Sequence, residues 1–384
     1  MKTEPVRPAP SESALSGYEA LLFFPDAERV YLKLGLAPLT PKLQAVTKEK
    51  LGCDLPLEVV SDGRYAKKKK GPKEILFGRE FDRPGIPAFD PHKSFYGITE
   101  DGTVYFRSPC IPLYATLWKR FLSEFGSDWE SACPCYREVP PFSYEELERA
   151  GYSLVFEDTF DGEKLDMDVW EYRHLGPRRC GYQGASQARL ENGNLVLTGS
   201  YEPNGEYGEG WYGLIVQLQK KYCRGYFEAT IKCCENLGRA AGDIWSAFWI
   251  QGDSPYRGED SQGGIGPGGA EIDVMENFGP DYTTSCIWVT GVEGVDGLCG
   301  ELFQVQDLGN DFTGSYHTYG CLWDEDAYRI YVDGMLIAET DHACGTSRFP
   351  EKVLLSIELP EELKIDRSLR REMFVDTLRI WQKS

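Results

Sequence analysis

An all-β sandwich over residues 151–384, preceded by a smaller mixed α/β domain, is the fold class that the sequence predicts. Three observations predict it. From Tyr152 onward, short apolar runs are cut repeatedly by Gly, Asn and Asp, the punctuation of strands and turns in a sandwich. Helical periodicity is nearly absent from that stretch, which argues against alternating β and α units. The clear helical patterns all lie ahead of it, in a chain of 384 residues that at roughly 150 per domain makes two or three domains.

The elements follow in order. Residues 1–16 are rich in Pro and Ser and are expected to form a flexible N-terminus. Residues 17–150 make an accessory domain of unassigned purpose. Within it Thr40-Pro41 opens a short helix as N-cap and first-turn proline, and Gly52 ends it. A longer helix is expected from Pro112 to Phe125, with Leu113, Leu117 and Phe121 on one stripe, Tyr114, Trp118 and Leu122 beside it, and Gly126 as its stop. Ser143 and Glu146 form a capping box, Phe142 and Leu147 a hydrophobic staple, so a further helix runs to about Ala150. Val139-Pro140-Pro141 makes a stiff boundary ahead of it. The strands expected after Tyr152 are Arg189–Thr198, Gly225–Lys232, Trp245–Ile250, Glu271–Glu276, His317–Trp323, Tyr328–Val332 with the turn Asp333-Gly334, Val353–Glu358 and Phe374–Trp381.

Charge narrows the partners. With 41 basic and 61 acidic side chains the formal net charge is −20, which repels phosphate backbones and anionic lipid. Nucleic acid and membrane are therefore not expected partners, and the sequence names no protein partner. The run Lys67 to Lys70, with Arg64 and Lys73, reads as a solvated loop. No apolar stretch reaches the roughly 18 residues of a membrane span, and the first residues lack the apolar core of a secretory signal. A cytoplasmic protein is expected; the alternative is a secreted one whose signal is not part of this chain. Twelve cysteines are too thinly spread to demand disulfides, and neither Cys133-Pro-Cys135 nor Cys233-Cys234, with only four histidines, assembles a zinc pattern. Buried free thiols are expected.

The segment Glu271-Ile272-Asp273-Val274-Met275-Glu276-Asn277 carries the chemistry. In a regular strand Glu271 and Asp273 share a face, whereas Glu276 points away. A β-bulge at Val274-Met275 would insert one residue, reverse the alternation and return Glu276 to the same face. Three carboxylates would then line one open face, with the two glutamates able to approach the roughly 5–5.5 Å of a retaining glycosidase, one as nucleophile and the other as acid and then base. Asp273 between them can share a proton with the nucleophile or raise the acid's pKa. A solvated acidic face or a calcium site is the plain alternative. The aromatic load of the β region favours carbohydrate, because aromatic rings stack on sugar faces. Trp211, Trp245, Trp249 and Trp288 are the candidate platforms, with Asn277 beside the acids as a further substrate contact. Trp245 and Trp249 are four apart and share a face, while Phe248 takes the other.

These residues resemble glycoside hydrolase family 16, whose bulged signature is similar to Glu271-Ile272-Asp273-Val274-Met275-Glu276. The likeness covers residues 152–384. It includes Leu154-Val155-Phe156-Glu157-Asp158-Thr159-Phe160-Asp161-Gly162 with Leu165 and Trp170, Asn192-Gly193-Asn194-Leu195-Val196-Leu197, Arg224–Lys232, Trp245-Ser246-Ala247-Phe248-Trp249, Tyr316-His317-Thr318-Tyr319, Trp323, Tyr331-Val332-Asp333-Gly334 and Phe374–Trp381. The resemblance implies a concanavalin A-like jelly-roll catalytic domain with its cleft on the concave face and a retaining mechanism. It implies Glu271 as nucleophile, Glu276 as acid/base and Asp273 as their hydrogen-bonding assistant. The inserted Met275 favours the laminarinase-like and galactanase-like branches. Where those branches often carry a histidine, this chain reads Ser285-Cys286-Ile287-Trp288-Val289. No cofactor is implied for catalysis, and the structural calcium of some relatives would fall at Glu157, Gly193 and Asp376.

The expected function is endo-hydrolysis of a β-glucan, β-1,3-linked for preference, or a related oligosaccharide. Endo-β-galactanase or agarase-like action is the alternative enzyme. A lectin-like binding protein and a calcium-stabilised structural sandwich are the alternatives of other classes. For residues 17–150 a carbohydrate-binding or cleft-shaping role stands beside a purely packing one.

Overall fold

The computed structural model describes residues 15–23, 39–60, 71, 73–79, 81, 83–237, 242–252, 269–290, 298–306, 310–342 and 345–383. Most of the expected N-terminal tail, Arg64 and the Lys67–Lys70 run lie outside the described residues. The chain divides into two compact units, Met1–Pro140 and Pro141–Ser384.

Among the described residues the first unit holds six strands, β1 (Glu19–Phe23), β2 (Leu57–Val60), β3 (Glu74–Gly78), β4 (Phe95–Ile98), β5 (Val104–Arg107) and β6 (Cys135–Glu138), in the sheet order β2-β1-β3-β5-β4-β6. The first four in that order run parallel, and β4 is antiparallel to β5 and β6. Among the described residues it also has two α-helices, α1 (Leu39–Leu51) and α2 (Leu113–Phe125), and a short 3-10 turn at Trp129–Ala132. The apolar stripe of α2 is buried as its spacing requires: Trp118 packs edge-on to Phe77 and Phe106, and its indole N–H donates to Thr47 Oγ1 at 2.8 Å. Helix α1 begins at Leu39, one residue ahead of the expected Thr40 cap.

The second unit opens with α3 (Tyr144–Arg149), where Ser143 Oγ accepts the Glu146 N–H at 3.3 Å. The helix belongs to this unit because Phe142 and Leu147 pack with Tyr226 and Trp381, and the Tyr144 hydroxyl donates to Glu228 at 2.7 Å. The division therefore falls ten residues ahead of the expected boundary at 150. Seventeen strands follow: β7 (Tyr152–Asp158), β8 (Trp170–Tyr172), β9 (Gly176–Arg178), β10 (Gly181–Gln183), β11 (Ala188–Leu190), β12 (Leu195–Glu202), β13 (Gly210–Leu218), β14 (Gly225–Lys232), β15 (Trp245–Gln251), β16 (Glu271–Asn277), β17 (Tyr282–Thr290), β18 (Leu298–Gln306), β19 (His317–Trp323), β20 (Tyr328–Val332), β21 (Met335–Thr340), β22 (Lys352–Glu358) and β23 (Arg370–Lys383).

They form two sheets, antiparallel except where β10 meets β13. One runs β8-β13-β22-β15-β16-β17-β18; the other places β23 between β14 and the pair β12 and β7, with β19, β20 and β21 continuing beyond β14. Strand β13 joins them, its first residues pairing with β12 and its last with β22. The core lies between the sheets: Phe248, Ile250, Ile272, Ile287, Leu355 and Ile357 from one, and Phe227, Ile231, Trp323, Ile330 and Ile380 from the other, are all fully buried. The expected strand Arg189–Thr198 is two strands. Asn192 and Gly193 both take left-handed backbone (φ 51° and 72°), and Glu191 and Asn194 exchange backbone hydrogen bonds across the turn.

Candidate active site

The bulge falls where the acid spacing requires it. Against β17, Asp273 pairs with Cys286 and Glu276 with Thr284, so three steps on β16 oppose two on its neighbour. Against β15, Gln251, Trp249 and Ala247 pair with Glu271, Asp273 and Glu276, again with one residue inserted. All three carboxylates therefore stand on one face. The extra residue leaves a backbone carbonyl to satisfy, and buried Ser285 does so: its hydroxyl donates to Val274 O at 2.6 Å. The Thr283 and Thr284 hydroxyls donate to Glu276 O at 3.2 and 3.4 Å.

Each acid has its own side-chain donor. The Gln251 amide N–H donates to Glu271 Oε2, the Trp288 indole N–H to Asp273 Oδ2 at 3.1 Å, and the Trp245 indole N–H to Glu276 Oε1 at 2.9 Å. Glu271 and Glu276 are half-buried, whereas Asp273 is buried. Burial, then the charges of Glu276 and Glu271, push the Asp273 carboxyl well above the usual carboxylate range, the Trp288 N–H offsets this only in part, and Glu358 adds to the rise. Burial and like charge thus favour the protonated form of Asp273. The same surroundings, burial first and then Glu276, push the Tyr282 hydroxyl up to about 12.

Trp245 and Trp249 lie on the acid-bearing face, as their spacing predicts, packed with Ile215, Ala247 and Leu354. Both are nonetheless buried, because two arginines cover the rings: the Arg179 guanidinium sits 5.1 Å from the Trp245 ring centre and that of Arg173 5.1 Å from Trp249. Trp288, half-buried, pairs with Glu271. Trp211 pairs with Tyr201 at the far end of β13, its ring 5.6 Å from that of Tyr201. Asn277, expected as a substrate contact, is a correction. It is fully buried, its Oδ1 accepts from Asn236 at 2.8 Å, and its amide donates to the carbonyls of Gly279 and Tyr282, so it closes the turn after β16.

The residues expected at a calcium site, Glu157, Gly193 and Asp376, have the following surroundings. Glu157 Oε1 accepts from the Arg379 guanidinium at 2.6 Å, and Asp376 Oδ2 accepts the Thr377 hydroxyl. Gly193 turns the chain between β11 and β12. Among the described residues no group of three or more His, Cys, Asp or Glu side chains is arranged to hold a metal.

Several residues of this face escaped the sequence reading. Ser356 accepts the Trp249 indole N–H at 3.1 Å, Arg178 and Arg179 converge on buried Glu358 at 3.1 and 3.0 Å, and Arg173 donates to Gln251. These contacts join residues far apart in the chain, and no local spacing announces them.

Fold and site together define a class, a two-sheet β domain presenting a bulge-set carboxylate trio. Residues 182–359 match the family described as Glycosyl hydrolases family 16, which bears out the resemblance over those residues. A glucan endo-1,3-beta-glucosidase A1 from Niallia circulans is 27% identical over 212 residues, 48% of this chain and 29% of that protein. A beta-glucanase from Acetivibrio thermocellus is 31% identical over 153 residues, 39% of this chain and 38% of that protein. The chain thus spans about a third of the length of these relatives. Among solved structures, SCLam, a non-specific endo-beta-1,3(4)-glucanase from family GH16, superposes with a TM-score of 0.51 at 22% identity, covering 64% of this chain and 95% of that one. LamAcat from Zobellia galactanivorans gives 0.50 at 21% identity, covering 61% and 99%. The fold of the second unit is accordingly the jelly-roll sandwich expected from the sequence.

Proposed function

We propose that this protein is an O-glycoside hydrolase that cleaves internal β-linkages of a β-glucan, β-1,3-linked for preference, by double displacement with retention. Glu271 attacks the anomeric carbon as nucleophile. Glu276 protonates the leaving oxygen, then takes a proton from the water that releases the glycosyl group. Asp273 holds a proton between them and stabilises whichever neighbour is charged. The observation that carries this reading is the bulge, which puts Glu271, Asp273 and Glu276 on one face with a separate donor on each. The curated relatives named for β-glucan cleavage favour the substrate class. The expected ligand is therefore an oligo- or polysaccharide, and no step is routed through a metal.

Hydrolysis of laminarin, mixed-linkage glucan, agar and β-galactan, followed by early-time proton NMR, tests the reading. The expected result is β-anomeric product from a β-glucan, with Glu271→Gln and Glu276→Gln each lowering kcat by about two or more orders of magnitude while the fold survives. An initial α-anomer would refute the mechanism. Cleavage confined to agar or galactan would move the substrate to the galactan alternative, and sugar binding without turnover would return a lectin.

A further inference from the structure

The site contains a chain of contacts that the three carboxylates do not require. Gln251 ends β15 directly across from Glu271 and is buried. Its Nε2 donates to Glu271 Oε2, and its Oε1 accepts from a guanidinium N–H of Arg173. Arg173 follows β8, where its backbone N–H is fixed on Ile215 O at 3.0 Å, and its guanidinium lies over the Trp249 ring. An amide has one donating end and one accepting end, and left to itself can turn either towards a neighbour. A guanidinium can only donate. It therefore claims the amide oxygen and leaves the N–H for Glu271.

We propose that Arg173 and Gln251 are positioning residues for Glu271, Arg173 fixing the sense of the amide and the amide N–H holding one carboxylate oxygen so that the other faces the sugar. This inference rests on the reading of Glu271 as nucleophile and adds what orients it. An amide N–H binds a carboxylate more strongly than a carboxylic acid and so favours the ionised form. Glu271 thus meets a donor on β15, while at Asp273, two residues on, burial and the acidic neighbours outweigh the Trp288 N–H and favour the protonated form. Arg173 needs no contact with substrate to matter, since its effect passes through the amide.

Kinetics of the full chain on laminarin test this, with Gln251→Leu, Gln251→Glu, Arg173→Met, Arg173→Lys and the double variant Arg173→Met/Gln251→Leu. In Gln251→Leu, kcat is expected to fall about tenfold or more and the acid limb of the pH–rate profile to move to higher pH, because a charge-assisted hydrogen bond to the carboxylate is gone. Gln251→Glu keeps the shape and is expected to move the limb further, by setting a second carboxyl against Glu271. Arg173→Met should reproduce the Gln251→Leu shift, Arg173→Lys should restore part of it, and the double variant should be no worse than Gln251→Leu. A merely structural role would lower the melting temperature and leave the limb in place. An unmoved limb in both Gln251 variants, or losses that multiply in the double variant, would overturn the proposal. Trapping with a 2-deoxy-2-fluoro β-glucoside bearing a good leaving group separates the two levels. A label on Glu271 with an unmoved limb sinks the relay alone, and a label on another carboxylate sinks the nucleophile assignment and the relay with it.

Discussion

At the scale of single residues, Asp273 concentrates the electrostatic cost of the site. It is buried between two acids, and the Cys286 thiol facing it on β17 is itself pushed up, chiefly by burial. Its folded-state pKa is raised, which means that the folded chain binds its proton more tightly than the unfolded chain does. The stability this group contributes is fully present below the unfolded value of about 4 and is lost as pH rises through the folded value. Asp273→Asn cannot ionise, and it retains an oxygen for the Trp288 N–H. Its unfolding free energy should equal the parent's below about pH 4 and exceed it by a margin that grows with pH, of the order of 1 kcal/mol or more near neutrality and seen as a higher melting temperature, while turnover falls. Paired thermal melts from pH 3.5 to 8 decide this, and a pH-independent difference would show that Asp273 is not the protonated carboxyl.

At the scale of the element, the bulge in β16 is what makes three acids into one site, and Ser285 is what satisfies it. Ser285→Ala should cost about 1–3 kcal/mol, since Val274 O would be left buried without a donor, and it should also lower kcat, because relaxation of the bulge re-aims Glu276. Chemical denaturation alongside kinetics checks both parts; loss of stability with unchanged kcat would make Ser285 a support for the sheet alone. The bulge was legible in the sequence because Glu-x-Asp-x-x-Glu cannot face one way on a regular strand. The role of Ser285 was not, since a lone Ser in a β-rich run carries no sign that a carbonyl on the next strand lacks a partner. The turn at Asn192-Gly193 reads in hindsight as a hairpin signal that the apolar residues on either side masked. The capping box at Ser143 and Glu146 gave the start of α3 directly, because a cap is a local pattern and needs no tertiary contact to be read.

At the scale of the whole molecule, the division of labour follows from where the partners of the acids originate. Glu271, Asp273 and Glu276 sit on β16, their donors Gln251, Trp288 and Trp245 on β15 and β17, and Arg173, Arg178, Arg179, Ser356 and Glu358 on strands or turns of the same unit. The all-β character of that unit was legible from its punctuation, and Val139-Pro140-Pro141 marked the stiff step before it. The unit to which Ser143–Ala150 belongs was not legible, because only the contact of Phe142 and Leu147 with Tyr226 and Trp381 decides it. A chain beginning at Pro141 keeps α3 and every contact named for the site. It should fold with a β-type circular dichroism spectrum and retain kcat on short β-glucan oligosaccharides within about threefold of the full chain, since the donors Gln251, Trp288 and Trp245 are all kept. A chain beginning at Gly151 loses α3 and with it the Tyr144 hydroxyl that donates to buried Glu228, which should cost about 1–3 kcal/mol of stability beyond the first truncation. If the Pro141 chain folds cooperatively yet has lost turnover, residues 1–140 supply something the acids need, and the accessory region would have to be counted as part of the catalytic apparatus.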